Sequence, residues 1–407
     1  MHILFLTDNF PPESNAPASR TYEHACEWVD AGHQVTVVTC APNFPTGKVF
    51  DGYKNKLWQL EEMSGIKVIR VWSYMASNEG FARRIIDFTS YMVTGFVASL
   101  FVRRVDVVVG TSPQFFTAVA AWAAAVVKRR PFVFELRDIW PESIRAVSAT
   151  DGGKLLDLME KLELFLYRRA HLVVAVTHAF KLNLIARGID EDKIEVITNG
   201  VDTRHFKPMP KDSVLLNQLD LNNTFVAGYI GTHGMAHALE TLVEAARLLQ
   251  DDATAKDIRI IMLGDGANRR MLMELAAGLD NILFIDPVPK DEVVRYWSIL
   301  DVALIHLKKD DLFKTVIPSK MFECMGMGIP ILHGVEGESA DIIVDTGAGQ
   351  LFEPQNPQDL VCRLKAMRAN PLLRTQLAKQ GHQRAAEFDR NRLANEMLLH
   401  LKIIAQQ

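Results

Sequence analysis

Short apolar runs alternate with helix-patterned stretches along all 407 residues, and this alternation constrains the fold more than any other feature. In the first half the strand-like runs are His2–Thr7, Val35–Thr39, Lys67–Trp72, Val105–Gly110, Phe132–Leu136 and Leu172–Val176. In the second half they include Phe225–Ile230, Ile258–Leu263, Ile282–Ile285, Asp301–Ile305 and Ile329–Leu332. A strand–helix alternation predicts parallel, doubly wound sheets in an α/β fold. The length sets two domains as the expectation, each with a sizeable core. No internal repeat or low-complexity segment interrupts the rhythm.

Composition narrows the function. A net charge of −4 gives no footprint for nucleic acid. Cys26, Cys40, Cys324 and Cys362 are scattered without metal-ligand spacing and read as small apolar residues of a reducing compartment. Met1-His2-Ile3-Leu4-Phe5-Leu6 lacks the basic start of a secretory signal and reads as a strand.

The stretch Thr315–Pro330 carries the most chemistry. Pro318 suits a helix start, and Ser319 and Lys320 follow in the first turn. Free backbone N–H groups and the positive end of the helix dipole make an anion site there, to which Lys320 adds a charge. Glu323 falls on the same face three residues on, where a carboxylate can accept both hydroxyls of a ribose. The bland alternative is an exposed Lys–Glu helix pair. The preceding strand argues against it, because ligands bind at the carboxyl ends of parallel strands. The stretch resembles the nucleotide-sugar motif of family 4 glycosyltransferases, and its Pro-Ser-Lys-x-x-Glu form is similar to the bacterial surface-polysaccharide branch labelled as fucosaminyl transferases. The resemblance implies a retaining enzyme of GT-B fold, with two Rossmann-like doubly wound domains facing across a cleft.

A second match runs from Ile194 to Pro208. Physically, Asn199-Gly200 predicts a tight turn with positive φ, braced by Asp202. As a motif it resembles the family's Asn-Gly-Val-Asp segment between the domains. The expected division is 1–203 for an acceptor-side domain, 204–385 for a nucleotide-sugar domain, and 386–407 for a terminal helix packing back on the first.

In the second half, Gly231-Thr232-His233-Gly234 and Gly264-Asp265-Gly266 each follow a strand. They resemble the family's two glycine loops, whose backbone approaches the donor, so Gly231, Thr232, Gly264 and Gly266 are candidate donor contacts. Many relatives hold the diphosphate here with an Arg and a Lys. This chain has His233 and His237 instead, which leaves the charge to Lys320. Val288, between Pro287 and Pro289, is expected in the wall of the base pocket. The family's common pattern has a Glu where Thr315 stands, which puts Thr315 against the donor sugar. Asp310-Asp311 read as loop charges, and no metal or cofactor is expected.

In the first half, the loop after the first strand carries Asn15-Ala16 where relatives use glycines, with Arg20 inside the following helix, from about Pro17 to Ala31. Asn15, Ala16 and Arg20 are candidate substrate contacts, although Arg20 reads equally as a solvated first-turn residue. Phe134–Glu142 is the second notable stretch. Arg137 stands where much of the family has a His, followed by Asp138 and the Trp140-Pro141-Glu142 seen in the polysaccharide branch. Arg137 stays protonated and is no base, but it can neutralise a phosphate or orient Asp138. A purely structural Arg137–Asp138 pair is the alternative.

Ile85–Val102 is almost wholly apolar and is bracketed by Arg83, Arg84, Arg103 and Arg104. A strand follows at once, so a membrane crossing would tear the sheet. Two readings stay open: a buried helix of the first domain, or a helix in the membrane interface with its arginines on headgroups.

The resemblance thus implies transfer of a sugar, an N-acetylamino or deoxy-amino sugar, from a nucleotide sugar, expected to be UDP-linked. The implied acceptor is a polyprenyl-diphosphate-linked saccharide at the inner face of the bacterial cytoplasmic membrane. The implied mechanism is same-face displacement with the leaving diphosphate taking the acceptor proton. Lys320, Arg137 and Asp138 are the candidate catalytic groups. A nucleotide-sugar epimerase and a catalytically inactive nucleotide-binding subunit are the alternatives.

Overall fold

The computed structural model describes residues 1–13, 15–44, 47–75, 81–139 and 154–406. Ser14 and the Trp140-Pro141-Glu142 motif lie outside the described residues. The chain forms two compact units, residues 1–199 with 390–407, and residues 200–389.

The first unit contains β1 (His2–Leu6), α1 (Ala16–Asp30), β2 (Gln34–Cys40), β3 (Trp58–Met63), β4 (Ile66–Val71), α2 (Phe81–Leu100) and β5 (Val107–Thr111). It continues with α3 (Phe115–Lys128), β6 (Phe132–Leu136), α4 (Lys154–Arg169), β7 (Leu172–Ala175), α5 (His178–Ala186) and β8 (Ile194–Val196). The sheet order is β3-β4-β2-β1-β5-β6-β7-β8. All these neighbours pair in parallel except one. The expectation of a wholly parallel sheet is corrected at β3, which pairs antiparallel with β4. Ser64 and Gly65, at φ 49° and 76°, close the hairpin. Two consecutive positive φ values match the turn to the strands' twist.

Winding leaves from β1 in one direction and from β5 in the other. The switch point between them therefore opens the loops after β1 and β5 to a ligand. Apolar layers cover both faces of the sheet. One holds Tyr91 of α2 with Phe132 and Phe134, and the other Trp28 of α1 with Ile3 and Phe5.

The second unit contains α6 (Ser213–Gln218), β9 (Phe225–Ile230), α7 (Glu240–Asp251), β10 (Ile258–Leu263), α8 (Arg269–Leu275), β11 (Ile282–Ile285) and α9 (Val293–Ser298). Then come β12 (Val302–His306), α10 (Lys320–Met327), β13 (Ile331–Gly334), α11 (Glu338–Thr346), β14 (Gly349–Leu351), α12 (Pro357–Ala369) and α13 (Pro371–Ala385). The sheet is wholly parallel in the order β11-β10-β9-β12-β13-β14. Its switch point lies between β9 and β12.

The terminal helix α14 (Arg390–Ala405) belongs to the first unit. Leu393, Met397, Leu398 and Leu401 are buried there, and the Trp28 indole N–H donates to the Ala394 carbonyl at 2.8 Å.

At the junction, neither Asn199 nor Gly200 takes a positive φ, which corrects the tight-turn expectation. The carbonyls just ahead of Asn199 are held by an arginine side chain. Arg20 binds the Ile197 and Thr198 carbonyls in the first unit. In the second, Val201 N–H donates to the Phe388 carbonyl and Asp202 Oδ1 accepts from the Arg204 N–H.

Candidate functional site

The second unit gathers Gly231, Thr232, His233, His237 and Lys320 at its switch point. Gly231 follows β9 at φ 144°, and a Cβ there would lie 2.5 Å from Lys320 Nζ. Gly264 follows β10 at φ 139°, and a Cβ there would lie 2.0 Å from the Gly231 carbonyl oxygen. Only glycine lets these two loops and the lysine approach so closely. The loops are zipped by backbone bonds from Gly231 N–H to the Leu263 carbonyl and from His233 N–H to the Asp265 carbonyl.

Lys320 is the first residue of α10, with Ser319 at its cap position and no side-chain cap bond. Pro318 stands just ahead, its carbonyl accepting from Met321 N–H. The Lys320 Nζ lies 3.8 Å from the centroid of the Tyr229 ring. It is buried and has no hydrogen-bond partner. Burial lowers its pKa to about 8, although the neighbouring Glu323 carboxylate acts to raise it. A buried ammonium without an acceptor is costly, so an anion arriving there is favoured.

The histidines beside it are neutral. Burial first, then Arg269 and Lys320, push His233 down to about 4. Burial and Lys320 push His237 to about 3. Neither ring nitrogen of His233 has a partner, nor does His237 Nδ1. The positive field here thus comes from Lys320 and Arg269. Arg269 also binds Asp286 at 2.6 Å.

Glu323 lies one turn along α10. Its Oε2 accepts from the buried Trp297 indole N–H at 3.3 Å, which orients the carboxylate. Val288 is partly buried against the core of the same unit, beyond β11. Gly266 packs its backbone on that of His233. Thr315 ends a short 3-10 turn, with its hydroxyl donating to the Leu312 carbonyl at 2.7 Å. Asp310 caps that turn through Leu312 N–H.

In the first unit, the structure joins the first turn of α1 to the end of β6. The Arg137 guanidinium donates to the Pro17 and Ala16 carbonyls, both at 3.0 Å. Ser112 Oγ, after β5, accepts from the N–H groups of Arg137 and Asp138 at 2.7 and 3.1 Å. Burial brings the Arg137 pKa to about 10, with Glu135 opposing, so it stays charged.

Two expectations are corrected here. Arg20 is neither solvated nor open to a phosphate. It is buried, its Nε pairs with Glu135 at 2.9 Å, and Nη1 and Nη2 bind the junction carbonyls. Burial alone would raise the Glu135 carboxyl, but Arg20 and Arg137 hold it below its usual range. Asn15 caps α1 through Ala18 N–H at 2.9 Å and donates to Asn9 Oδ1 at 2.5 Å, so its side chain serves the loop. Sequence reasoning missed Glu135, Ser112, Tyr229 and the Trp297–Glu323 bond. A charged Glu135 inside the apolar run Phe132–Leu136 was the one available signal.

Helix α2 divides the two open readings between its faces. Ile85, Phe88, Met92 and Phe96 pack inward, and Tyr91 donates to the Thr7 and Val38 carbonyls. Ile86, Val93, Val97 and Leu100 are exposed, continuing into Phe101, which is 69% exposed. Phe101 meets the exposed Trp58 of β3 edge-on at 5.8 Å. Arg83, Arg103 and Arg104 are exposed, whereas the Arg84 guanidinium lies over the Phe88 ring at 5.6 Å. Among the described residues no helix is long and apolar enough to cross a membrane.

Comparison with known proteins places this geometry. Residues 15–200 match the glycosyl transferase 4-like domain, and residues 217–384 match glycosyl transferases group 1. The chain is similar to WcaI of Escherichia coli, named as a glycosyl transferase of colanic acid biosynthesis, with 25% identity over 338 residues, 81% of this chain and 82% of that one. It is also similar to WcaL of Escherichia coli, likewise named for colanic acid biosynthesis, with 27% identity over 203 residues, 49% of this chain and 48% of the other. Among solved structures, Anabaena HepE in complex with UDP and glucose superposes with a TM-score of 0.73 at 19% identity, covering 98% of this chain and 99% of HepE. That likeness carries the GT-B fold.

Proposed function

From the premise that the chain belongs to the glycosyltransferases of GT-B fold, a 4-like domain followed by a group 1 domain, we propose that it moves a sugar from a UDP-linked donor to a saccharide acceptor of a bacterial surface polysaccharide. The observation that carries the donor assignment is the buried, unpartnered ammonium of Lys320 at the start of α10. UDP in HepE and the colanic acid names of WcaI and WcaL support the nucleotide and the pathway class.

In this reading the Lys320 ammonium and the positive end of the α10 dipole hold the donor diphosphate. The glycine backbones at 231, 264 and 266 and Thr232 line its approach. Glu323, oriented by Trp297, accepts the ribose hydroxyls, and Val288 flanks the base. As the glycosidic bond breaks, charge grows on the diphosphate, and donors preorganised in a dry site stabilise it most. The departing phosphate takes the acceptor proton on the same face, which retains configuration. In the first unit Arg137 keeps N–H groups beyond its two carbonyl bonds, and with Asp138 it serves the reacting sugar or acceptor. The donor sugar is an N-acetylamino or deoxy-amino hexose, as in the fucosaminyl branch. The acceptor is polyprenyl-diphosphate-linked, and the exposed apolar face of α2 with Phe101 and Trp58 brings the enzyme to the inner membrane surface.

A panel of nucleotides and UDP-sugars, read by thermal shift and then by donor hydrolysis, tests the proposal. Stabilisation by UDP and one UDP-sugar with UDP release supports it. Stabilisation by UDP with no turnover, even with lipid-linked acceptor supplied, favours a nucleotide-binding subunit. Sugar interconversion without transfer would identify an epimerase.

A further inference from the structure

The amino ends of the first unit's strands, opposite the loops where ligands of such a sheet bind, carry a pocket of about 590 Å³. That lies within the usual range for small-molecule sites. Trp122 and Val126 of α3, Arg129 and Arg130 just beyond it, Arg169 at the end of α4 and His171 ahead of β7 line it.

The donors are held by the fold. Helix α3 ends at Arg129, which takes a left-handed conformation at φ 53°. Glycine suits that position best, yet here it sets two consecutive arginines on one pocket wall. The Arg169 guanidinium lies over the Phe165 ring at 5.4 Å, and Phe165 meets Trp122 edge-on at 5.1 Å. An aromatic ring thus holds this arginine by its face, which leaves the N–H edge open. His171 Nδ1 accepts from the Phe132 N–H at 3.2 Å, so the neutral ring carries its proton on Nε2 as a further donor. Among the described residues no Asp or Glu lines the pocket, and none pairs with these three arginines.

The chemistry of the wall selects the ligand. Three guanidiniums and an imidazole N–H around one pocket suit the several oxygens of a phosphate group. Trp122, Ala125 and Pro131 make the rest of the wall apolar, which suits a phosphate carried on a hydrocarbon stem. The setting selects its source. Val126 and Val127, 57% and 60% exposed, adjoin the arginines. Lys128 Nζ donates to the Val102 carbonyl at 2.6 Å, which ties this end of α3 to the end of α2, where Leu100 and Phe101 are exposed. Arginines beside exposed apolar side chains are the pattern of a surface seated among lipid headgroups.

We propose that this pocket binds the phosphate of a membrane lipid, with Arg129, Arg130, Arg169 and His171 on the phosphate oxygens and Trp122 and Val126 against the adjoining carbons; this rests on the membrane reading of the α2 surface. The pocket then adds a defined headgroup site to the non-specific apolar contact of α2.

The test uses the full chain and flotation with vesicles of phosphatidylcholine alone or mixed equally with phosphatidylglycerol. Wild type floats with the mixed vesicles. Arg129→Gly with Arg169→Gln removes two pocket charges, and the glycine relieves the left-handed turn, so the fold is retained. This pair lowers binding about tenfold or more and leaves UDP affinity unchanged. Lys161→Gln with Arg168→Gln removes the same charge from α4 outside the pocket and lowers binding only a few-fold. Equal losses in the two pairs would show diffuse attraction and overturn the pocket alone. Hexyl phosphate, which carries both halves of the ligand, displaces wild type from the vesicles more strongly than inorganic phosphate at equal ionic strength. Equal displacement by the two would assign the pocket to a free phosphate and overturn the lipid. Failure of wild type to float would overturn the membrane reading of α2, and with it the premise of this one.

Discussion

The Nζ of Lys320 sits 3.8 Å above the Tyr229 ring with no hydrogen-bond acceptor around it. The ring quadrupole compensates part of the cost of burying the charge, and Glu323 compensates a further part. The remainder keeps the lysine near pKa 8 and leaves the site waiting for a negative group.

Removing that charge should therefore stabilise the empty protein. Lys320→Met replaces an unpaired buried ammonium with an apolar chain of similar length. We expect a gain of about 1–2 kcal/mol, read as a melting temperature about 2–6 °C higher without nucleotide. A fall in melting temperature would mean that Lys320 is satisfied in the empty state.

Glu323 should control recognition of the ribose. Hydrogen bonds to a charged group contribute about 1.5–3 kcal/mol, so wild type should prefer UDP over its 2′,3′-dideoxy analogue by about tenfold or more. In Glu323→Ala that preference should shrink below about threefold, and Trp297→Phe should reduce it partially. Titration calorimetry with both nucleotides measures this, and undiminished preference in Glu323→Ala would remove the carboxylate from the ribose site.

Arg20 should matter for the fold and leave the donor untouched. Arg20→Met strands the buried Glu135 carboxylate and frees the Ile197 and Thr198 carbonyls. Breaking a buried pair from one side costs about 3–5 kcal/mol, so the melting temperature should drop sharply while UDP affinity stays within about twofold. A large loss of UDP affinity in a folded variant would contradict this.

The surface around α2 should bind anionic membranes. In flotation with phosphatidylglycerol vesicles, wild type should rise with the lipid, and Val97→Asp with Phe101→Asp should abolish this. Charge reversal at Arg83, Arg103 and Arg104 should weaken binding in a salt-sensitive way. Arg84, held over Phe88, should contribute less. Recovery of the wild type without lipid would remove the membrane from the account.

Much of this was legible in the sequence because it is local. The strands Phe132–Leu136, Phe225–Ile230, Ile258–Leu263 and Ile282–Ile285 fall where their apolar runs predict. The start of α10 follows from Pro318 and Ser319, since helix-start chemistry is written in a few adjacent residues. The hairpin at Ser64-Gly65 went unread, although the alternation Trp58-Gln59-Leu60-Glu61 before a turn pair was its signal. What the sequence hid is long-range. Arg20 meets Glu135 across 115 residues, and Trp297 reaches Glu323 across 26. Nothing near Asn199-Gly200 says that its neighbours' carbonyls are taken by an arginine on α1. For α2, periodicity could not choose between burial and exposure because the helix does both, one face on the sheet and the other in solvent.

The central claim is that Lys320 is the charge that holds the donor diphosphate, and pH reads it most directly. Bound diphosphate favours protonated Lys320, so affinity should be high below about pH 8 and fall as pH rises through it. The nearby groups do not titrate in that window: His233 and His237 lie near 4 and 3, and burial raises Tyr229 and Cys324 further. The measurement is UDP affinity by calorimetry between pH 7 and 9, where the diphosphate is largely ionised and the uracil N–H largely protonated, in wild type and in Lys320→Ala. We predict about a tenfold or greater loss across that range in wild type. The variant should bind about tenfold or more weakly at pH 7, with a flat profile. Equal affinity in the two proteins, or the same pH slope in both, would contradict the account.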